Sequence, residues 1–210
     1  MPPIRLPEVL AALPIFPLPN LVLLPGEMVP LHVFEPRYQA LIAHCMENDR
    51  VLGMATLVPG FEQEYEGRPP VFPEVAVAAI LQHQPLPEGR SNLLIQSVAR
   101  IRLVEELPAT RLFREIRGTV CEEVDDRPSL DGLRSMMVQL GTAFPGSSED
   151  LGRLLGFDGR LLVDLLASKL LVGVEARLAY VRTDRLSGRL RLVERALAKK
   201  LPMSAGSAEA

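Results

Sequence analysis

Tryptophan is absent from this 210-residue chain, and cysteine, histidine and tyrosine are scarce, at two, three and three copies. Each scarcity excludes something. Cys45 and Cys121 are too few for a disulfide framework. They also lack the paired Cys-x2-4-Cys spacing of structural zinc, so no metal site is expected. His32, His44 and His83 are scattered, and a surface or hydrogen-bonded role is the default for each. Long apolar runs are missing too. The stretch Leu18 to Leu24 is broken by Pro19 and Asn20, far short of the ~20 residues a membrane span needs. The segment Met1 to Pro7 has no apolar core behind a basic head, which argues against a secretion leader and for a cytoplasmic protein. There is no excess of positive charge: Lys plus Arg is 23 against 26 for Asp plus Glu, a net of −3, which disfavours nucleic acid as a partner.

Catalytic patterns are missing as well. No Gly-x-x-x-x-Gly-Lys-Ser/Thr loop is present to cradle a phosphate, and no Gly-x-Ser-x-Gly elbow. Ser168 and Lys169 are neighbours, and adjacent helical residues diverge by about 100°, so they do not form a dyad with each other. No cofactor is implied. The carboxylates Glu122, Glu123, Asp125 and Asp126 could serve as acid and base, but an acidic run at a strand exit reads first as a solvated turn.

What is present is organised. Most of the 19 prolines precede residue 130. Helix interiors reject proline, whereas turns and strand edges accept it. This predicts an α+β chain with strands first and helices last. Val29, Leu31 and Val33 alternate with Met28, Pro30 and His32. Val51 to Val58, Val75 to Gln82, Leu93 to Val104 and Phe113 to Val124 also read as strands, with a hairpin connection at Pro85 to Gly89. In the Leu93 strand, Ser97, Ala99, Ile101 and Leu103 are expected on one face and Arg100 and Arg102 on the other. Together these strands suit a small, closed or nearly closed sheet.

Tyr38, Leu41, Ile42, Cys45 and Met46 fall on one helical face, behind Glu35 and Pro36 at a helix start. Cys45 on that stripe reads as a buried thiol. Helical composition returns over Leu130 to Ala143, Ser148 to Leu155, Gly159 to Leu171 and Val174 to Val181. A last helix carries Leu186, Leu190, Val193 and Leu197 on one stripe. Arg182, Arg185, Arg189, Arg191 and Arg195 are interleaved with leucines and read as its solvated face.

Several of these segments, in this order, resemble the N-terminal substrate-recognition domain of Lon proteases. Leu13-Pro14-Ile15-Phe16-Pro17-Leu18 is similar to that domain's opening strand. Leu24-Pro25-Gly26-Glu27-Met28-Val29-Pro30-Leu31 leads into Phe34-Glu35-Pro36-Arg37-Tyr38, the most recognisable stretch, in a form similar to stand-alone Lon-domain proteins. Glu74 to Ile80, Leu86 to Gly89, Leu94 to Ile101, Leu161 to Arg177 and Asp184 to Leu197 continue the likeness, which spans roughly residues 11 to 200. Ser97 stands where a glycine is usual, and Glu74-Val75-Ala76 replaces Gly-Thr-Val.

The resemblance implies a PUA-like, strand-rich pseudo-barrel with one inserted helix over residues 11–125 and a C-terminal helical bundle over 126–200; the tail over 201–210, small and polar from Met203 on, reads as disordered from its composition. It also implies a non-catalytic module, without the family's ATPase and Ser-Lys protease segments, that binds polypeptide clients or a protein partner; self-association is compatible with it. An RNA-binding role through the PUA-like barrel is the alternative, and an uncharacterised hydrolase is the third reading. Aromatic residues beside arginine are typical interface anchors. Phe34, Arg37 and Tyr38, at the strand-to-helix handover, and Phe61, Tyr65 and Phe72, in and beside the loop from Pro59, are therefore the candidate contacts. The competing reading has Phe34 and Tyr38 stapling the helix to the barrel.

Overall fold

The computed structural model describes residues 9–61, 67–144 and 152–201. Strands and one helix come first: β1 (Leu13–Leu18), β2 (Met28–Val33), α1 (Pro36–Glu47), β3 (Val51–Leu57), β4 (Val71–Pro85), β5 (Ser91–Glu106) and β6 (Arg114–Val120). Helices follow: α2 (Asp131–Ala143), α3 (Gly159–Leu170), α4 (Val174–Val181) and α5 (Leu186–Ala198). The chain is α+β, as the proline gradient predicts.

The six strands lie in the order β2-β5-β4-β3-β1-β6, and β6 pairs back onto β5. Five strands thus close on themselves and β2 hangs outside the ring, so the sheet is a pseudo-barrel rather than a regular one. β1 and β3 run parallel; the remaining pairs are antiparallel.

Two apolar cores follow from the two-residue period of the strands. Leu13, Ile15, Val51, Ala55, Val75, Val77, Ile101 and Ile116 form one. Phe16, Leu52, Met54, Ala76, Ala78 and Ile80 meet Tyr38, Leu41, Ile42 and Cys45 of α1 in the other. Every residue of β3 is buried, because it serves both cores. Gly53 is required there: a Cβ would stand 2.9 Å from Ile15 Cγ2 and 2.9 Å from Leu13 Cδ2.

β5 departs from simple alternation. Val77 pairs with Ala99 while Ala78 pairs with Ser97, leaving Val98 bulged out. Ala99, Ile101 and Leu103 pack on the first core, and Leu93 and Ile95 belong to the second. Ser97 therefore does not share a face with Ala99, contrary to the sequence expectation. One extra residue flips the strand's parity and lets it serve both cores. Arg100 lies opposite Ile101 as expected but is buried, donating to the carbonyl oxygens of Val181 and Glu122.

The chain divides into two units, Met1–Glu122 with Gly173–Arg182, and Glu123–Val172 with Thr183–Ala210. In the first, α4 is tied to the strands: Arg177 Nη1 donates to Glu27 at 2.8 Å and to the Val22 carbonyl at 2.9 Å. In the second, Asp158 caps α3 by accepting from Leu161 N at 3.0 Å. Asp126 does the same at the start of α5, accepting from Ser187 N at 2.9 Å and Ser187 Oγ at 2.6 Å. These two bonds hold its carboxyl below the usual range.

Arg189 corrects the reading of a solvated arginine face. It is 1% exposed, lies 3.0 Å from Glu123 and donates to the Thr183 carbonyl at 2.8 Å. Glu123, which Arg160 also contacts, and Asp126 are thus structural anchors rather than members of a solvated turn. Of the Ser148–Leu155 helix, the turn at 152–154 is described and the part before it lies outside the described residues, as do Met1 to Pro7 and the tail from Pro202.

Candidate polypeptide-binding site

The candidate residues disperse. Tyr38 is in the core: its ring stacks on Phe16 with centroids 4.0 Å apart, and its hydroxyl donates to the Pro17 carbonyl at 3.0 Å. It staples α1 to β1. Arg37, one position earlier, holds its guanidinium over the Tyr38 ring at 4.6 Å and donates from Nε to Glu35 at 3.0 Å. Phe34 is 60% exposed at the β2-to-α1 turn, 6.0 Å from the His32 ring. Phe72 enters β4 half-buried, with the Arg182 guanidinium 5.8 Å from its ring. Phe61, 38% exposed, follows β3. Tyr65 lies outside the described residues.

Two grooves gather some of them. The first, about 340 Å³, is walled by Pro19 and Asn20 after β1, Leu57, Val58 and Pro59 at the end of β3, Phe61, and Pro69 before β4. None of these is charged. Pro59 and Pro69 carry no N–H, so ladder pairing gives out here; its last bond runs from Val58 N to the Pro70 carbonyl at 2.9 Å. The strands part and leave an apolar concavity.

The second groove, about 210 Å³, has Pro17, Tyr38 and Phe113 in its walls together with Arg37, Arg68, Arg111 and Arg114. Glu106 stands behind it. Arg114 donates to this carboxylate from Nε at 2.6 Å and Nη2 at 2.8 Å, and Arg68 from Nε at 2.8 Å. Burial raises the Glu106 carboxyl, but the hydrogen bonds and charges of Arg114 and Arg68 outweigh it and hold the group below the usual range. Arg114 Nη1 reaches the Pro69 carbonyl at 2.8 Å, fixing the loop that also walls the apolar groove.

Sequence reasoning singled out only Arg37 of these four. The basic-apolar run Arg111-Leu112-Phe113-Arg114 was the available signal. Arg68 carried none, because its carboxylate partner is 38 positions away.

Among the described residues, no group of three or more His, Cys, Asp or Glu could hold a metal ion. His32 Nδ1 lies 2.7 Å from Asn92 Oδ1, and the His44 ring tilts against Phe113 at 5.3 Å. Cys45 is buried, 3.2 Å from the Val51 carbonyl, and burial pushes its thiol up to about 12, so it is no nucleophile at neutral pH. No helix among the described residues is long and apolar enough to cross a membrane.

A family model described as the ATP-dependent protease La (LON) substrate-binding domain matches residues 12–199. The chain belongs to that family. This LON domain is 30% identical over 196 residues to Lon protease 2 of Myxococcus xanthus, and 27% identical over 201 residues to Lon protease of Anaeromyxobacter dehalogenans. Those matches take in 90% and 92% of the chain but 24% of each relative, so the chain spans about a quarter of the curated relatives' length. The fold is shared with a Lon N-terminal domain protein from Xanthomonas campestris (TM-score 0.64, 24% identity, covering 89% of this chain and 97% of that one). It is also shared with the N-terminal domain of the Mycobacterium avium complex Lon protease (TM-score 0.65, 15% identity, covering 89% and 98%).

Proposed function

We propose that this LON domain is a non-catalytic module that recognises polypeptide segments, with the apolar groove at Phe61 as the seat. One observation carries the reading: a concavity of about 340 Å³ whose described walls are prolines, aliphatic residues, Asn20 and one aromatic ring, with no charged residue among them. Such a surface gains by shedding its water when an apolar side chain fills it, and Asn20 is the one polar side chain among its described walls. Family membership supports a substrate-binding role.

In this reading Phe61 is the principal contact, and Tyr65, which follows it in the chain, is a second. The exposed Phe34 is an outlying contact. Tyr38 and Arg37 shape the neighbouring groove, and Phe72 acts through its packing under Arg182. A cytoplasmic setting is part of the same reading.

The test is fluorescence anisotropy with a labelled, uncharged peptide rich in leucine and phenylalanine. Phe61→Asp puts a charge into the groove and is expected to weaken binding about tenfold, the equivalent of roughly 1.4 kcal/mol. Unchanged binding in Phe61→Asp, or no binding by the unaltered protein, refutes the reading.

A further inference from the structure

The second groove has a property its position does not require. Its described wall residues include four guanidiniums and no carboxylate, in a chain whose net charge is −3. Glu35, Glu106 and Glu115, which pair with these arginines, are not among the described wall residues. Glu106 takes both Arg68 and Arg114. Arg37 and Arg111 lie over the rings of Tyr38 and Phe113, at 4.6 and 5.6 Å. Stacking limits how far each fork can turn, and a held fork matches a carboxylate. The apolar floor strengthens the field such an anion would meet.

The two grooves are built on the same backbone. Pro17 walls one and Pro19 the other, and Arg68 and Pro69 divide in the same way. A single extended segment could therefore enter both within a few residues, at about 3.3 Å per residue.

Resting on the polypeptide-binding reading above, we propose that the arginine groove takes an acidic side chain of the bound segment, so that the module selects aspartate or glutamate a few residues from an apolar anchor. The occupant's chemistry follows from the walls. A compact pocket of about 210 Å³ beside a groove whose described walls are uncharged, rimmed by Leu112 at 74% exposure, suits one or two carboxylates on an apolar peptide. It does not suit the regular run of charges along a phosphate backbone, which needs an extended basic stripe.

The test uses the full chain and three labelled peptides that share a leucine-phenylalanine anchor and differ in the following pair: Asp-Glu, Asn-Gln or Lys-Lys. The acidic peptide is expected to bind about tenfold more tightly than the amide peptide, the lysine peptide most weakly, and the difference to shrink as salt is raised. Arg111→Gln, at a side chain 47% exposed, is expected to remove most of that preference. Arg111→Glu, with its fold checked by circular dichroism, should invert the preference. Equal binding of the acidic and amide peptides overturns the inference and leaves the Phe61 groove standing. Binding of neither overturns both. A preference that survives both Arg111 variants, or a single-stranded RNA probe that displaces the acidic peptide and is weakened by them, also overturns the inference.

Discussion

Replacing Arg189 by methionine removes a guanidinium from the interior of the helical unit while keeping most of its apolar stem. The side chain is 1% exposed, bridges Glu123 at 3.0 Å and Asp164 at 3.8 Å, and donates to the Thr183 carbonyl at 2.8 Å. Removing one member of a buried ionic group costs about 3–5 kcal/mol, because the partners remain desolvated. Glu123 is 32% exposed and keeps Arg160, so the lower end, about 3 kcal/mol, is expected. Arg189→Ala also empties the stem's volume and should lose roughly a further 1–2 kcal/mol.

With no tryptophan in the chain, far-UV circular dichroism in urea is the readout. A 3 kcal/mol loss moves the midpoint by about 1.5 M if the slope is near 2 kcal/mol/M. Coupling to Glu123→Gln should be about 1–3 kcal/mol in a double-mutant cycle. A methionine variant as stable as the parent refutes the reasoning. It would mean that desolvating the guanidinium costs as much as its bonds return.

Three further predictions concern the strand-rich unit. Gly53→Ala places a Cβ within 3.1 Å of Val75 Cγ1 and closer still to Ile15 and Leu13, so overpacking should lower stability by about 1–3 kcal/mol; an unchanged thermal midpoint counts against the close approach. Because the folded Glu106 carboxyl lies below its ordinary value of 4.5, its contribution is present above that pH and is lost as pH falls through the folded value. Glu106→Gln should therefore be less stable than the parent at neutral pH, with the gap closing in acid; a gap independent of pH rejects that account. Cys45, raised to about 12 by burial, should resist a thiol reagent at neutral pH until the protein unfolds, while Cys121, only partly buried, reacts first; equal rates for the two would contradict it.

What local periodicity encodes was readable in advance. The helices Pro36–Glu47, Val174–Val181 and Leu186–Ala198, the strand Met28–Val33 and the turn before Ser91 all follow patterns a few residues long. So does the buried stripe of Tyr38, Leu41, Ile42 and Cys45, since spacing alone sets which side chains share a helical face. Of the candidate site, the aromatic at Phe61 and the pair Arg37-Tyr38 could be named from the sequence. Their separation into two grooves could not.

The tertiary structure decided what depends on distant partners. The bulge at Val98 changes parity because of its pairing with β4, and no residue type announces that. Arg100, Arg189 and Arg114 look like the surface arginines beside them in sequence. Each is buried because acceptors many positions away, at Val181, Glu123 and Glu106, arrive to meet it. A charged side chain declares its sign locally, but whether it keeps its water is settled only by what the fold brings against it.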